Sequence, residues 1–89
     1  MEITFDPNKD CINIEKHGVS LADAENLEWD IMFRIPDTRL DYGESRFIGY
    51  SLIEDRVYCV VYTERCNSLR IISLRKTNKR EVANYVHNI

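Results

Sequence analysis

The chain has no phosphate-binding glycine loop, no HExxH, no CxxC and no GxSxG. Those absences remove P-loop nucleotide hydrolysis, zinc proteolysis and serine esterase chemistry from consideration. Its two histidines, His17 and His87, fall in separate predicted helices without ligand spacing, so neither a metal site nor a cofactor is expected. Cysteine is scarce, and Cys11, Cys59 and Cys66 are odd in number and widely spaced. They read as reduced thiols of a cytoplasmic protein, Cys59 serving as a small core hydrophobe. With only three Gly and two Pro, 44% hydrophobic and 30% charged residues, the chain is neither disordered nor fibrous. No apolar run approaches the ~20 residues that span a bilayer. The first residues also lack the basic, then apolar, form of a secretion signal, so no membrane contact is expected. A length of 89 residues predicts one domain, 1–89.

What the chain does have is segregated charge. Its net charge of -3 hides a division: residues 1–64 carry six Lys and Arg against fourteen Asp and Glu, whereas residues 65–80 carry six basic residues and no acid. A basic segment on an acidic body binds a polyanion locally, or else forms a solvated face paired with the protein's own acids.

The pattern predicts an α+β fold. A short strand at 3–5 precedes Asp6 and Pro7, an N-cap and a first helical position, and Gly18 suits the helix stop. Cys11, Ile14 and Gly18, with Ile12 beside them, give this helix its expected inner side. Ser20 to Asp23 resembles a capping box and opens a second helix with Leu21, Ala24 and Leu27 inward. A strand at 31–35 stops at Pro36, and 37–43 is an irregular, mobile loop. Strands at 45–53, 57–64 and 69–75 form an antiparallel meander, because their connections are short. Asn78 and Glu81 form a further capping box, and Val82, Tyr85, Val86 and Ile89 mark the apolar stripe of a last helix.

Strict alternation then sorts the last hairpin by face. Pairing Glu64 with Leu69, Tyr62 with Ile71, Val60 with Ser73 and Tyr58 with Arg75 puts Cys59, Val61, Ile72, Leu74, Ile48 and Leu52 on a core face. The other face receives Tyr58, Tyr62, Glu64, Ser73 and Arg75, with Gly49 and Ser51 beside them. This polar face is the expected functional one. RNA cleavage without a metal needs a 2′-hydroxyl in line, a base for its proton and cations on the phosphate oxygens. Arg65, Arg70 and Arg75 are the candidate cations, since a guanidinium binds phosphate through a planar fork. Alternation sends Arg70 to the side opposite Arg75, so Arg70 joins them only around the sheet end or through a bulge; otherwise it pairs with an acid such as Glu44. Glu64 either takes a proton or orients Arg75 or Arg65. Tyr58 and Tyr62 either stack on bases or serve as strand residues. Lys76, Lys79 and Arg80 either follow the nucleic-acid backbone or are simply solvated. His17 is a helix cap or core residue before it is a catalyst.

Several segments also resemble the BrnT toxins of bacterial type II toxin–antitoxin modules. They are Phe5-Asp6-Pro7-Asn8-Lys9, Asn13, Lys16-His17-Gly18-Val19-Ser20, Glu44-x-Arg46, Ile48-Gly49 and Val60-Val61-Tyr62-Thr63-Glu64-Arg65. Arg70-Ile71-Ile72-Ser73-x-Arg75-Lys76, Glu81 and Tyr85 complete the set. The resemblance implies a small RelE-like fold: an antiparallel sheet made of the three-strand meander plus shorter strands, two N-terminal helices and one C-terminal helix. It further implies metal-independent endoribonuclease activity that arrests growth, and neutralisation by a ribbon-helix-helix antitoxin of the BrnA kind. The toxin would meet operator DNA only through that antitoxin. Carried onto matching positions, it points to Arg65, Arg70 and Arg75, with Glu64, Lys9 and His17 as weaker candidates. The alternative is a non-catalytic RelE-like module that binds a protein or nucleic acid.

Overall fold

The computed structural model describes residues 2–88; Ile89, the last position of the predicted apolar stripe, lies outside them. Strand β1 (Glu2–Phe5) leads into helix α1 (Pro7–His17), a 3-10 segment (Leu21–Asn26) and a 3-10 turn (Trp29–Ile31). Then come β2 (Phe33–Pro36), β3 (Phe47–Ile53), β4 (Arg56–Arg65), β5 (Ser68–Lys76) and helix α2 (Lys79–Asn88). The strands form one five-stranded sheet in the order β1-β5-β4-β3-β2. The meander is antiparallel as expected, but β1 runs parallel to β5. The sheet is therefore mixed rather than antiparallel throughout, because β1 reaches β5 by no short turn that would dictate its direction.

Helix α1 begins and ends where its residues direct. The Asp6 carboxylate accepts from the Asn8 N–H at 2.9 Å, and Gly18, in the left-handed region at φ 71°, donates its N–H to the Ile14 carbonyl. Its inner face is not the predicted one. Cys11 is exposed, and Ile12 and Ile14 are 56% and 46% exposed, whereas Asn13 is buried. The reason lies at the sheet edge: β1 pairs with β5 only as far as Ile71, which leaves Leu74 beyond its reach. The Asn13 amide takes the missing strand's place. Its Nδ2 donates to the Leu74 carbonyl at 2.8 Å, and its Oδ1 accepts from the Leu74 N–H at 3.2 Å.

The second predicted helix winds more tightly than an α-helix. Leu21, Ala24 and Leu27 recur every third residue, and in the 3-10 segment that spacing aligns them on one side, where all are buried. Ser20 caps the segment by accepting from the Ala22 N–H, and Asp10 of α1 accepts from both the Ser20 hydroxyl and the Leu21 N–H. Strand β2 starts two residues later than predicted because Ile31 belongs to the 3-10 turn. Pro36 ends it on the sheet's outer edge, where a missing N–H costs no ladder bond. The irregular segment that follows is tied down through the buried Asp37, whose carboxylate accepts from Arg39 at 2.8 Å twice and from the Tyr42 hydroxyl at 3.2 Å.

The core lies on the sheet face that alternation had assigned to function. Leu21, Ala24 and Leu27 pack against Val60, Tyr62, Leu69, Ile71 and Leu74. Tyr62 is fully buried, edge-on to Trp29 at 5.1 Å and stacked on Phe47 at 5.6 Å, and Tyr58 packs against the same cluster. Gly49 does leave room, but the Met32 thioether fills it, so a Cβ there would strike the sulfur. Helix α2 covers the opposite face with Tyr85 buried and Val86 59% exposed. Its capping box forms: Asn78 Oδ1 accepts from the Glu81 N–H at 2.9 Å and Glu81 Oε1 from the Asn78 N–H at 3.0 Å.

Asn13→Ala strands both Leu74 backbone groups and is expected to lower stability by about 2 kcal/mol. Urea denaturation measures the loss, and Asn13→Leu, which restores volume without bonds, does not recover it.

Candidate functional site

The face beneath α2 is shaped by a fault in the β4–β5 ladder. From Arg65↔Ser68 to Tyr62↔Ile71 the register follows the predicted pairing, but beyond that point Val61 faces Ser73, Val60 faces Leu74 and Cys59 faces Arg75. Ile72 has no partner, so a β-bulge inserts one residue and inverts the parity of the rest of β5. Residues opposite one another in an antiparallel pair share a face. Thr63↔Arg70, Val61↔Ser73 and Cys59↔Arg75 therefore place Arg70, Ser73 and Arg75 together, on the side away from the 3-10 segment. Leu74 moves to the core face instead. The predicted separation of Arg70 from Arg75 is overturned by the bulge.

The three arginines have different partners. Arg70 is half-exposed and makes no ion pair or side-chain hydrogen bond among the described residues. Glu44, its expected competitor, instead accepts from Arg65 at 3.2 Å and Arg46 at 3.4 Å. Partial burial works to raise the Glu44 carboxyl, but those two guanidinium groups hold it below its ordinary value. Arg65 stands at the hairpin end and is the more exposed partner of that pair. Arg75 is gripped at both ends of its fork: Nη1 and Nη2 each donate to a Glu81 oxygen at 2.7 Å. These bonds raise the Arg75 guanidinium and lower the Glu81 carboxyl. Beside them, burial pushes the Tyr50 hydroxyl up to about 12.

Other candidates lie elsewhere. Glu64 is on the core-face side, where it pairs with Arg34 at 3.5 Å and orients neither Arg75 nor Arg65. There it helps line a recess of about 640 Å³ with Trp29 and Asp30. Tyr62 is a core residue whose hydroxyl is buried without a partner among the described residues, and Tyr58 packs, partly buried, against the same cluster at the edge of a surface recess. Lys76 pairs with Tyr58 on the same face and lines a recess with Asp23, Glu54 and Asp55. Lys79 and Arg80 are exposed at the start of α2, close in sequence to the Arg75–Glu81 pair. Lys9 and His17 are exposed on α1. Among the described residues, no group of three His, Cys, Asp or Glu side chains is placed to hold a metal. Sequence reasoning missed Glu81 as the partner of Arg75, although its capping box, six residues further on, marked a fixed carboxylate there.

The family model of the BrnT ribonuclease toxin of type II toxin–antitoxin systems matches residues 5–81. The chain belongs to the BrnT family. The matched span holds Arg65, Arg70 and Arg75 and ends at Glu81. Membership brings ribonuclease activity, an RNA substrate and an antitoxin partner. No curated protein matches the chain. No helix among the described residues is long and apolar enough to cross a membrane.

Hydrogen bonds from Arg39 outweigh burial and hold the Asp37 carboxyl far below its ordinary 3.8, just as Arg75 holds Glu81 below 4.5. Carboxyls depressed by folding contribute stability in full above their unfolded values and lose it as the pH falls through the folded ones. The urea midpoint should accordingly stay level from about pH 8 to pH 5 and drop below about pH 4. Asp37→Asn makes the drop shallower.

Proposed function

We propose that this BrnT protein is a metal-independent endoribonuclease whose cationic face, built by Arg70, Arg75 and Arg65, binds the scissile phosphate. The observation that supports this most strongly is the bulge at Ile72, which gives Arg70 and Arg75 a common face and leaves Arg70 unpaired among the described residues. In this reading the ribose 2′-hydroxyl attacks the adjacent phosphorus as its proton passes to water, the bond from phosphorus to the 5′-oxygen breaks, and the leaving 5′-oxygen takes a proton from water. The products are a 2′,3′-cyclic phosphate and a 5′-hydroxyl end. Charge on the non-bridging oxygens grows along that path, so guanidinium groups fixed beforehand favour the transition state over the ground state. Ser73 lies between the two arginines along β5 and can donate its hydroxyl to the same phosphate. Lys79 and Arg80 extend the positive surface along the nucleic-acid backbone.

Family membership supports a wider role as part of the same proposal. RNA cleavage arrests growth in the cytoplasm, and a ribbon-helix-helix antitoxin of the BrnA kind neutralises the toxin and reaches operator DNA on its behalf. The sheet with its flanking helices is then a variant of the RelE-like fold, with β1 added parallel at one edge.

Arg70→Ala should lower kcat/KM for a short RNA by about 100-fold, the scale for removing one oxyanion donor. Stability should change by less than about 0.5 kcal/mol, since Arg70 has no side-chain partner to lose among the described residues. Cleavage should persist in EDTA and yield cyclic-phosphate ends. Wild-type protein that binds RNA but leaves it intact would instead identify a non-catalytic binding module.

A further inference from the structure

We propose that Glu81 is an internal phosphate mimic that occupies the fork of Arg75, so that RNA gains this arginine only by displacing the carboxylate. The inference rests on the cationic face proposed above. A guanidinium offers a phosphate the same paired N–H groups it offers a carboxylate. In this chain both terminal nitrogens of Arg75 are taken by the two Glu81 oxygens, at 2.7 Å each. The Glu81 side chain is 17% exposed and that of Arg75 36%, so the contact is partly shielded from solvent. Arg70, on the same face, has no such partner among the described residues. The two arginines thus form a ready site and a masked one.

The packing of α2 allows the exchange. Glu81 is in its first turn, fixed by the Asn78 capping box, and further along Tyr85 is buried while Val86 is exposed. Between this helix and the sheet lies a cavity of about 230 Å³, lined by Glu81 and Tyr85 on one side and Phe33, Ile35 and Tyr50 on the other. A helix that borders unfilled space on its sheet side can shift without dismantling the core, which lies on the opposite face. Masking lowers the apparent affinity for phosphate by the fraction of molecules in which Arg75 is free.

Glu81→Gln tests this cleanly, because glutamine keeps the capping box while removing the charge that holds Arg75. The probe is a 2′-deoxy-substituted RNA oligonucleotide, which binds but cannot be cut. Glu81→Gln should bind it about tenfold more tightly than wild type, which corresponds to about 1.4 kcal/mol. Glu15→Gln, the same charge change on exposed α1, should tighten it by less than about twofold. In an Arg75→Ala background the Glu81→Gln gain should vanish. A Glu81→Gln gain no greater than that of Glu15→Gln, or one that survives Arg75→Ala, overturns the proposal. Arg70→Ala separates the two levels of the account. If it weakens binding while Glu81→Gln has no effect, the masking is wrong and the cationic face stands. If neither has an effect, the face itself is wrong. Wild-type protein gives a second readout, since saturating oligonucleotide should move the Arg75 Nε–H resonance and speed amide exchange in α2. Unchanged signals with RNA bound would contradict displacement.

Discussion

Ile72 has no partner on β4, and the orientation of every later side chain in β5 depends on that. Without the extra residue, Ser73 would take Leu74's place opposite Val60 in the core, and Arg75 would take Lys76's place opposite Tyr58, away from the face it shares with Arg70. The bulge satisfies two demands that simple alternation cannot meet in this sequence. It supplies an apolar residue to the core at Leu74 and keeps the Ser73 hydroxyl out of it. Putting Ser73 where Leu74 is fully buried would forfeit about 2 kcal/mol of apolar burial and add an unmet hydroxyl, more than one lost ladder bond of about 1 kcal/mol, so the bulged register wins. Function gains from the same choice, because Arg70 and Arg75 then share a face.

The edge of β5 presents a second constraint. β1 is too short to cover it, and an open ladder there would expose hydrogen-bonding groups close to the core. Asn13 closes the edge with its side-chain amide, which turns the polar side of α1 inward and leaves Ile12 and Ile14 outside. Charge is divided in a related way. Acids gather around the 3-10 segment and the Trp29 recess, while Arg65, Arg70 and Arg75 occupy the hairpin and its α2-facing side. The acidic body and the basic segment thus differ in space as well as in sequence, which favours one approach for a polyanion.

Local signals in the sequence were reliable. The caps at Asp6, Ser20 and Asn78, the stop at Gly18 and the two tight hairpins all appear where composition and spacing put them. What failed was parity and direction. A bulge has no short-range code when the residue before it and the residue it adds are both isoleucine, as Ile71 and Ile72 are, so alternation ran through it and inverted the face assignment. Helix α1 misled for a different reason, since its partner is a backbone edge rather than an apolar surface. Nor did any local signal set the parallel direction of β1, which is fixed by contacts between the two ends of the chain.

Everything on the α2-facing side depends on the register of the last hairpin, and cross-strand nuclear Overhauser effects between backbone protons of β4 and β5 read that register out. The bulged ladder predicts contacts of Cys59 with Arg75 and of Val60 with Leu74, alongside Tyr62 with Ile71. Contacts of Val60 with Ser73 and of Tyr58 with Arg75 would restore unbroken alternation, return Arg75 to the face of Tyr62 and contradict the account.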